Sequence, residues 1–124
     1  MKDASKAGPV EIQWYNGYKL CPHPAPEQNG TVIIFGLEAI VRSFLTEDEA
    51  GARERFRSWL ESWLCWEQSG GILYLVGSDV GKGVVPLEKE ARLFRDYVGV
   101  CFQEVARKAE RVDLIWYGLA TQLK

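Results

Sequence analysis

The chain has 124 residues, and 15 Lys and Arg residues against 17 Asp and Glu residues give it a formal net charge of −2. This length suits a single domain, residues 1–124, and the 47% of hydrophobic residues suffices for a core without disulfides. The nearly balanced charge excludes a protein that binds nucleic acid or an anionic membrane through bulk electrostatics. No apolar run reaches the ~20 residues of a membrane span and no signal-peptide pattern is present, so we expect a cytoplasmic protein.

Elements with strand and helix patterns alternate along the chain, which predicts an α/β fold. Residues 10–15 form the first candidate strand, and a Pro-rich loop follows it. Thr31–Phe35 and Ile72–Val76 are continuous apolar runs, typical of strands that are buried on both faces of a parallel sheet. Residues 37–45 predict a short helix, and residues 111–116 a last strand before a short tail.

The Pro-rich loop contains the one histidine of the chain, in the motif Cys21-Pro22-His23-Pro24. A zinc site needs three or four ligands, and the sequence has no second cluster of ligands. Nothing in the sequence indicates which of the three cysteines would meet His23 in a nucleophilic pair. We therefore interpret the motif as a rigid loop and predict no metal site.

A capping-box pattern, Thr46 to Glu49, predicts the start of a second helix, because the Thr46 hydroxyl and the Glu49 carboxylate can bond free backbone N–H groups there. Large apolar residues then recur at steps of three and four, which places them on one helix face: Phe56, Trp59, Leu60, Trp63 and Leu64. At this spacing, Trp59, Trp63 and Trp66 indicate a core or a subunit interface rather than a ligand-stacking box. Gly70-Gly71 ends this helix.

A third helix is predicted after Pro86, which suits a first helical turn. Its apolar stripe consists of Leu87, Ala91, Phe94, Val98, Cys101 and Val105. Together these elements predict a mainly parallel sheet of about four strands with helices on both faces.

The segment GSDVGKGVVP, residues 77–86, connects a strand to a helix, where open parallel sheets bind ligands. Gly81-Lys82 is similar to the end of a phosphate-binding P-loop, but Val76 and Gly83 occupy the positions of its first glycine and its Ser/Thr. Two interpretations stay open. The backbone N–H groups can hold an anion with Lys82 as a point charge, or the glycines only supply positive φ in a connection.

Three segments resemble the carboxyl-terminal half of the adenosylcobinamide kinase/adenosylcobinamide-phosphate guanylyltransferases of the CobU type. That family reads S-N-E-V-G-x-G-I-V-P, R-x-F-R-D-x-x-G-x-x-N-Q and G-x-P-x-x-L-K, and the corresponding segments here are residues 77–86, 92–103 and 118–124. The resemblance is clear over residues 72–124 and weaker back to Val32. It implies a P-loop-NTPase-type fold and a set of candidate ligand-binding residues: Asp79, Gly81, Lys82, Gly83, Arg92, Arg95 and Asp96.

Several catalytic elements of that family have no counterpart in this sequence. Its phosphate loop, G-x-x-x-x-G-K-S, is missing, and so is the histidine that accepts the guanylyl group. Phe35 stands at the position of the acid that ends the family's Walker-B-like strand, and we do not expect Glu38, one helical turn later, to substitute for it. Phe102-Gln103 replaces the Asn-Gln pair. Because phosphoryl transfer relies on the phosphate loop and on bound magnesium, we assign no catalytic residue.

The resemblance therefore implies a non-catalytic protein of cobalamin biosynthesis that binds a nucleotide or corrinoid intermediate, or that partners a full-length relative. No cofactor is certain, and GTP or ATP with magnesium is the candidate. The resemblance also implies a homo-oligomer or a hetero-oligomer, with its interface on the Trp-rich helix between Phe56 and Trp66. Two alternatives remain, an active transferase with an altered or partner-completed site, and a purely structural subunit. For Arg92, Arg95 and Asp96, the competing interpretation is a local ion-pair network.

Overall fold

Strands and helices alternate in the computed structural model, which describes residues 12–25, 29–78, 89–116 and 119–124. In chain order, the elements are β1 (Ile12–Asn16), β2 (Thr31–Phe35), α1 (Leu37–Glu47), α2 (Ala52–Gln68), β3 (Ile72–Val76), α3 (Lys89–Lys108), β4 (Asp113–Trp116) and β5 (Leu119–Gln122). The predicted α/β class is confirmed. No helix in these ranges combines the length and the apolar character that crossing a membrane requires.

The first three strands form a parallel sheet in the order β1-β2-β3. In its middle row, Trp14, Ile33 and Tyr74 lie side by side. β4 instead pairs antiparallel with β5 in a separate two-stranded sheet. The described parallel sheet therefore has three strands rather than about four, because β4 finds its partner in the adjacent tail, which costs little chain entropy.

The hydrophobic core lies on one face of the parallel sheet. Val32 and Ile34 of β2 are fully buried there, and Tyr15, Leu73 and Leu75 of the flanking strands pack beside them. All three described helices contribute to this core, through residues that include Leu37, Ile40 and Val41 of α1, Phe56, Trp59, Leu60 and Trp63 of α2, and Tyr97, Val98 and Cys101 of α3.

The opposite face of the sheet does not take part in this core. Ile72, Tyr74 and Val76 of β3 point to it and are 51–55% exposed. The expectation that the apolar run of β3 is buried on both faces is therefore wrong. In the described residues, the helices of the core cover one face only, so alternate side chains of an apolar strand remain in contact with solvent.

The junction between α1 and α2 also differs from the prediction. Thr46 and Glu47 are the last residues of α1, and α2 begins at Ala52 after Gly51 without a side-chain cap. The predicted capping box is therefore wrong. The Thr-Glu-Asp-Glu pattern ends one helix instead of starting the next.

Arg55 of α2 explains this arrangement. Its guanidinium donates hydrogen bonds to the backbone carbonyls of Phe44, at 2.6 Å, and Asp48, at 3.0 Å. It also pairs with the Asp48 carboxylate at 3.1 Å. The last carbonyls of a helix have no partner within that helix. Arg55 supplies one from the next helix and thereby fixes the corner between α1 and α2.

The tryptophans of α2 belong to the core of the chain itself. Trp59 and Trp63 are 3% and 0% exposed. Both indole N–H groups donate to the backbone carbonyl of Pro22, at 2.7 and 3.0 Å, which holds the Pro-rich loop against the helix. Since this side of α2 is already buried within the chain, the placement of an oligomer interface on it is wrong.

The shared Pro22 carbonyl predicts that Trp59 and Trp63 are energetically coupled. Trp59→Phe and Trp63→Phe should each lower the free energy of unfolding by about 1–3 kcal/mol, and the carbonyl then still has one donor. The double variant leaves the carbonyl buried and unpaired, so its loss should exceed the sum by about 1 kcal/mol or more. Urea unfolding measures this. Pairing Trp59→Phe with Trp66→Phe is the control, which should be additive within about 0.5 kcal/mol.

The capping of α1 by Arg55 predicts a second stability effect. Arg55→Met should lower the free energy of unfolding by about 1–2 kcal/mol, because it removes the donors to the two carbonyls. Arg53→Met, at an exposed position of the same helix, should change it by less than about 0.5 kcal/mol. Equal losses in both variants, measured by urea unfolding, would contradict the capping role.

Candidate functional site

The candidate site lies at the carboxyl ends of the parallel strands. Tyr18 follows β1, Glu38 lies in the first turn of α1 directly after β2, and Ser78 follows β3. Because parallel strands end at the same edge of a sheet, the fold brings these three residues together. Ligands of open α/β sheets bind outside this edge. The Gly-rich segment of residues 77–86 also starts here.

Glu38 connects the ends of the two outer strands. Its carboxylate is buried, with 8% of the residue exposed. One oxygen, Oε1, accepts a hydrogen bond from the backbone N–H of Ser78 at 2.9 Å, and the other, Oε2, accepts one from the Tyr18 hydroxyl. The first turn of a helix is a favourable position for a negative charge. These bonds satisfy the buried carboxylate and tie β1 and β3 to α1.

The backbone around Tyr18 is shaped to bring its hydroxyl to Glu38. The Tyr18 N–H donates to the side-chain oxygen of Asn16 at 2.9 Å, and the Gly17 N–H donates to the carbonyl of Phe35 at 2.7 Å. Gly36 has a φ of +75°, and a Cβ there would lie 2.8 Å from the Tyr18 ring. A side chain at position 36 would therefore displace the tyrosine as well as strain the turn.

The Tyr18–Glu38 contact also changes the proton affinity of the phenol. The hydrogen bond to Glu38 raises the pKa of Tyr18 above its usual value of 10.0, and partial desolvation and the negative charge of the carboxylate act in the same direction. At neutral pH the hydroxyl therefore keeps its proton and acts as a donor. Each oxygen of Glu38 accepts one hydrogen bond from the chain, so the carboxylate acts as a structural brace between Tyr18 and Ser78.

The sequence-predicted site residues fall into two groups. Four of them, Asp79, Gly81, Lys82 and Gly83, lie outside the described residues, and their roles stay predictions. Arg92, Arg95 and Asp96 lie in the first two turns of α3. Arg95 pairs with Asp96 at 3.1 Å, and Arg92 is exposed. The described hydrogen bonds of Glu38 join it to Tyr18 and Ser78 and not to this second group.

Two contacts fix α3 beside the candidate site. The Arg42 guanidinium of α1 lies 4.2 Å from the centre of the Phe94 ring. Further along α3, Phe102 packs under the first glycine of the Gly-rich segment, where a Cβ on Gly77 would lie 2.5 Å from its ring. Phe102 stands where the resembling family has a polar Asn, and here it serves packing.

A second polar cluster joins α2 to α3 around Glu104, which is 8% exposed. Partial burial opposes its ionisation, but Lys108, Arg107 and Arg57 outweigh that effect and hold the pKa of Glu104 below its usual value. Lys108 also pairs with Glu61 of α2 at 3.0 Å. Every charge of this cluster that faces Glu104 is engaged in an ion pair, so the cluster is a connection between helices.

A small cavity lies next to this cluster and has a volume of about 10 Å³. It is lined by Arg53, Phe56, Arg57, Val100, Cys101 and Glu104. This is about the space of one water molecule, so a nucleotide does not fit. In the described part of the chain, no three His, Cys, Asp or Glu side chains are placed to hold a metal ion.

The Cys21–His23 motif carries no activated nucleophile. Burial raises the pKa of the Cys21 thiol to about 11, and the nearby Glu47 charge acts in the same direction. The thiol therefore stays protonated at neutral pH, whereas a nucleophilic cysteine needs a lowered pKa. His23 is exposed, and between the two residues Pro22 is buried against α2. The interpretation as a structural loop agrees with these contacts.

Sequence reasoning missed the Tyr18–Glu38–Ser78 contact, although part of the signal is visible. An acid in the first turn after a buried strand lies at the carboxyl edge by topology, and so does a polar residue directly after a neighbouring parallel strand. Tyr18 gives no such signal, because its hydroxyl reaches Glu38 only through the turn at Gly17.

The structural brace formed by Tyr18, Glu38 and Ser78 predicts that the stability of the fold depends on pH. Since the pKa of Tyr18 is raised in the folded state, its contribution is fully present below pH 10 and is lost as the pH rises through the folded-state value. Glu38→Gln should therefore flatten the loss of stability above pH 10, besides lowering the free energy of unfolding at pH 8 by about 1–3 kcal/mol. Urea unfolding at pH 8 and above pH 10 measures both effects. Tyr18→Phe should remove the same pH-dependent part, and an unchanged slope in either variant would contradict the brace.

Comparison with known proteins identifies the family. The model of the family described as cobinamide kinase / cobinamide phosphate guanyltransferase matches residues 18–123. This range covers most of the chain and includes every residue of the candidate site, and it extends further toward the amino terminus than the clear resemblance over residues 72–124. The comparison with curated proteins gives no match. The chain belongs to the cobinamide kinase / cobinamide phosphate guanyltransferase family, and this membership implies a role in cobalamin biosynthesis.

Proposed function

We propose that the chain is a non-catalytic member of this family, which binds a nucleotide or corrinoid intermediate of cobalamin biosynthesis or partners a full-length relative. The observation that carries the proposal is the engagement of Glu38. Both oxygens of this carboxylate accept hydrogen bonds from the chain, one from Ser78 and one from Tyr18.

Phosphoryl and nucleotidyl transfer depend on a cradle for the phosphates and on magnesium to neutralise their charge. Among the described residues, Glu38 is the carboxylate at the ligand-binding edge of the sheet. A magnesium ion at Glu38 would compete with the Tyr18 hydroxyl and the Ser78 N–H for the same carboxylate, and a buried N–H that lost its partner would cost about 1–3 kcal/mol. This cost supports a structural rather than a catalytic role for Glu38.

The sequence supports the same proposal. The 124 residues contain no G-x-x-x-x-G-K-[ST] motif. At the position that the first glycine of this motif would take before Gly81-Lys82, Val76 forms the end of β3, so it belongs to the sheet and not to a loop. Phe102 packs against Gly77 where the family has an Asn that could bond a ligand.

The alternative is an active enzyme whose site is altered or is completed by a partner. One observation favours it. The chain keeps the family pattern of an acid, Gly-x-Gly and Val-Val-Pro from Asp79 to Pro86, although this segment needs no such pattern for a mere connection. In this alternative, Lys82, Arg92 and Arg95 contact phosphate groups, and the partner supplies the phosphate loop.

Calorimetric titration with GTP, ATP and adenosylcobinamide, each with and without magnesium, separates these functions. We expect binding of one of these ligands that does not depend on magnesium, and no transfer of a phosphoryl or guanylyl group. Magnesium-dependent GTP binding together with group transfer would contradict the non-catalytic proposal. If none of the three ligands binds, the ligand-binding part of the proposal is wrong.

The candidate residues can be tested in the same titration. Lys82→Ala and Arg95→Ala should each weaken the binding of an anionic ligand roughly tenfold or more, since a charge-assisted hydrogen bond contributes about 1.5–3 kcal/mol. Arg111→Ala is the matched control, because it removes a positive charge from a local ion pair with Asp113. Equal effects of all three variants would indicate bulk electrostatics rather than a site.

A further inference from the structure

The sheet face opposite to the core is apolar and exposed. We name it the open sheet face and define it by the residues that point away from the helices: Ile12 and Trp14 of β1, Ile33 and Phe35 of β2, and Ile72, Tyr74 and Val76 of β3. Trp14 is 65% exposed and Tyr74 is 55% exposed. No described helix of the core covers these side chains.

The register of the sheet makes the open sheet face continuous. Across the strands, Trp14, Ile33 and Tyr74 form its middle row. Trp14 also makes an edge-on contact with Phe35, with the ring centres 6.4 Å apart. The face carries no charged side chain, and its polar positions, Asn16 and Thr31, lie at its ends.

An apolar face that the described helices leave uncovered is unusual for a parallel sheet, because such sheets have both faces covered in folded proteins. An exposed aromatic side chain presents about 150–250 Å², so the open sheet face offers on the order of 600 Å² per chain at the exposed fractions given above. This lies at the upper end of the range for the largest apolar patch of a typical monomer, ~300–600 Å². It also approaches the ~800 Å² that each partner contributes to a standard interface.

The chemistry of the face fits a second copy of the same chain. Recognition between different proteins relies on complementary charges for its specificity, and this face has none to offer. An uncharged apolar face is complementary to itself, which a two-fold symmetric interface requires. The large side chains are also placed symmetrically, since Trp14 of β1 and Tyr74 of β3 lie on either side of Ile33 of β2.

We propose that two copies of the chain associate through their open sheet faces, around a two-fold axis that runs along β2. This axis places Trp14 of one copy over Tyr74 of the other and Ile12 over Ile72, with Ile33 of both copies at the axis. Two sheets packed in this way lie ~10 Å apart with interdigitating side chains. The inference does not depend on which ligand the chain binds.

Sedimentation velocity between about 1 and 100 µM tests the proposal, since this range covers micromolar dissociation constants. We expect the 124-residue chain to sediment as a dimer at the upper end. The double variant Trp14→Glu/Tyr74→Glu should be a monomer throughout, because it places charges against the second copy. Leu93→Glu, at an exposed apolar position of α3 outside the face, is the matched control and should still dimerise.

A further measurement distinguishes a lost interface from a misfolded variant. Circular dichroism should show the same helix content in the double variant and in the natural chain, and Tyr74→Gln alone should raise the dissociation constant at least tenfold without adding charge. A dimer that survives the double variant would place the interface elsewhere and overturn the proposal. A natural chain that is monomeric at about 100 µM would overturn it as well. Acrylamide quenching of Trp14, measured against Trp14→Phe, would then show whether the chain itself shields the face.

Discussion

One-sided packing is the constraint on which the rest of this structure depends. The three described helices bury a single face of a three-stranded parallel sheet. To close that core with so few elements, α2 supplies large aromatic side chains, and Trp59 and Trp63 fill the space beneath the Pro-rich loop. Their indole N–H groups need acceptors when buried, and the Pro22 carbonyl provides one for both. The same packing leaves the other sheet face apolar and uncovered by this core.

Hydrogen bonds within the chain occupy part of the carboxyl edge of the sheet. Parallel strands end there, and their free backbone groups and the start of α1 make the edge suited to anions and ligands. In this chain, the Glu38 carboxylate accepts hydrogen bonds from the Ser78 N–H and the Tyr18 hydroxyl. Phe102 fills the space next to Gly77. Both contacts hold elements of the chain together at this edge, and the first of them carries the proposal that this family member binds without catalysing.

Local patterns predicted the elements whose boundaries are set by the chain itself. β2 and β3 were predicted with their observed ends, because Gly30, Gly36 and Gly71 interrupt runs of residues that favour strands. The apolar stripe of α2 was also right, and so was that of α3 from Phe94 to Val105, since helical spacing alone places residues on a face. Leu87, the first residue of the predicted α3 stripe, lies outside the described residues. The capping box failed for a tertiary reason. Arg55, from the following helix, satisfies the carbonyls at the end of α1 and lets that helix continue through Thr46.

The candidate site was predicted only in part, since sequence reasoning located the edge of the sheet but not the contacts that close it. Tyr18 and Glu38 are 20 residues apart, and Glu38 and Ser78 are 40 apart. Their meeting depends on the strand order and on the turn at Gly17, which no local pattern encodes. Arg95 and Asp96, by contrast, are neighbours in the sequence, so an ion pair between them could be anticipated from the sequence alone.

The sequence by itself determined the family, the α/β class and the order of the elements, because these depend on motif spacing and on hydrophobic periodicity along the chain. Only the tertiary structure decided that the tryptophans of α2 are core residues, that Glu38 is engaged on both oxygens, and that the described helices leave one sheet face uncovered. Burial and hydrogen bonding of this kind are properties of pairs of distant residues. They exist only once the register of the strands and the packing of the helices are fixed.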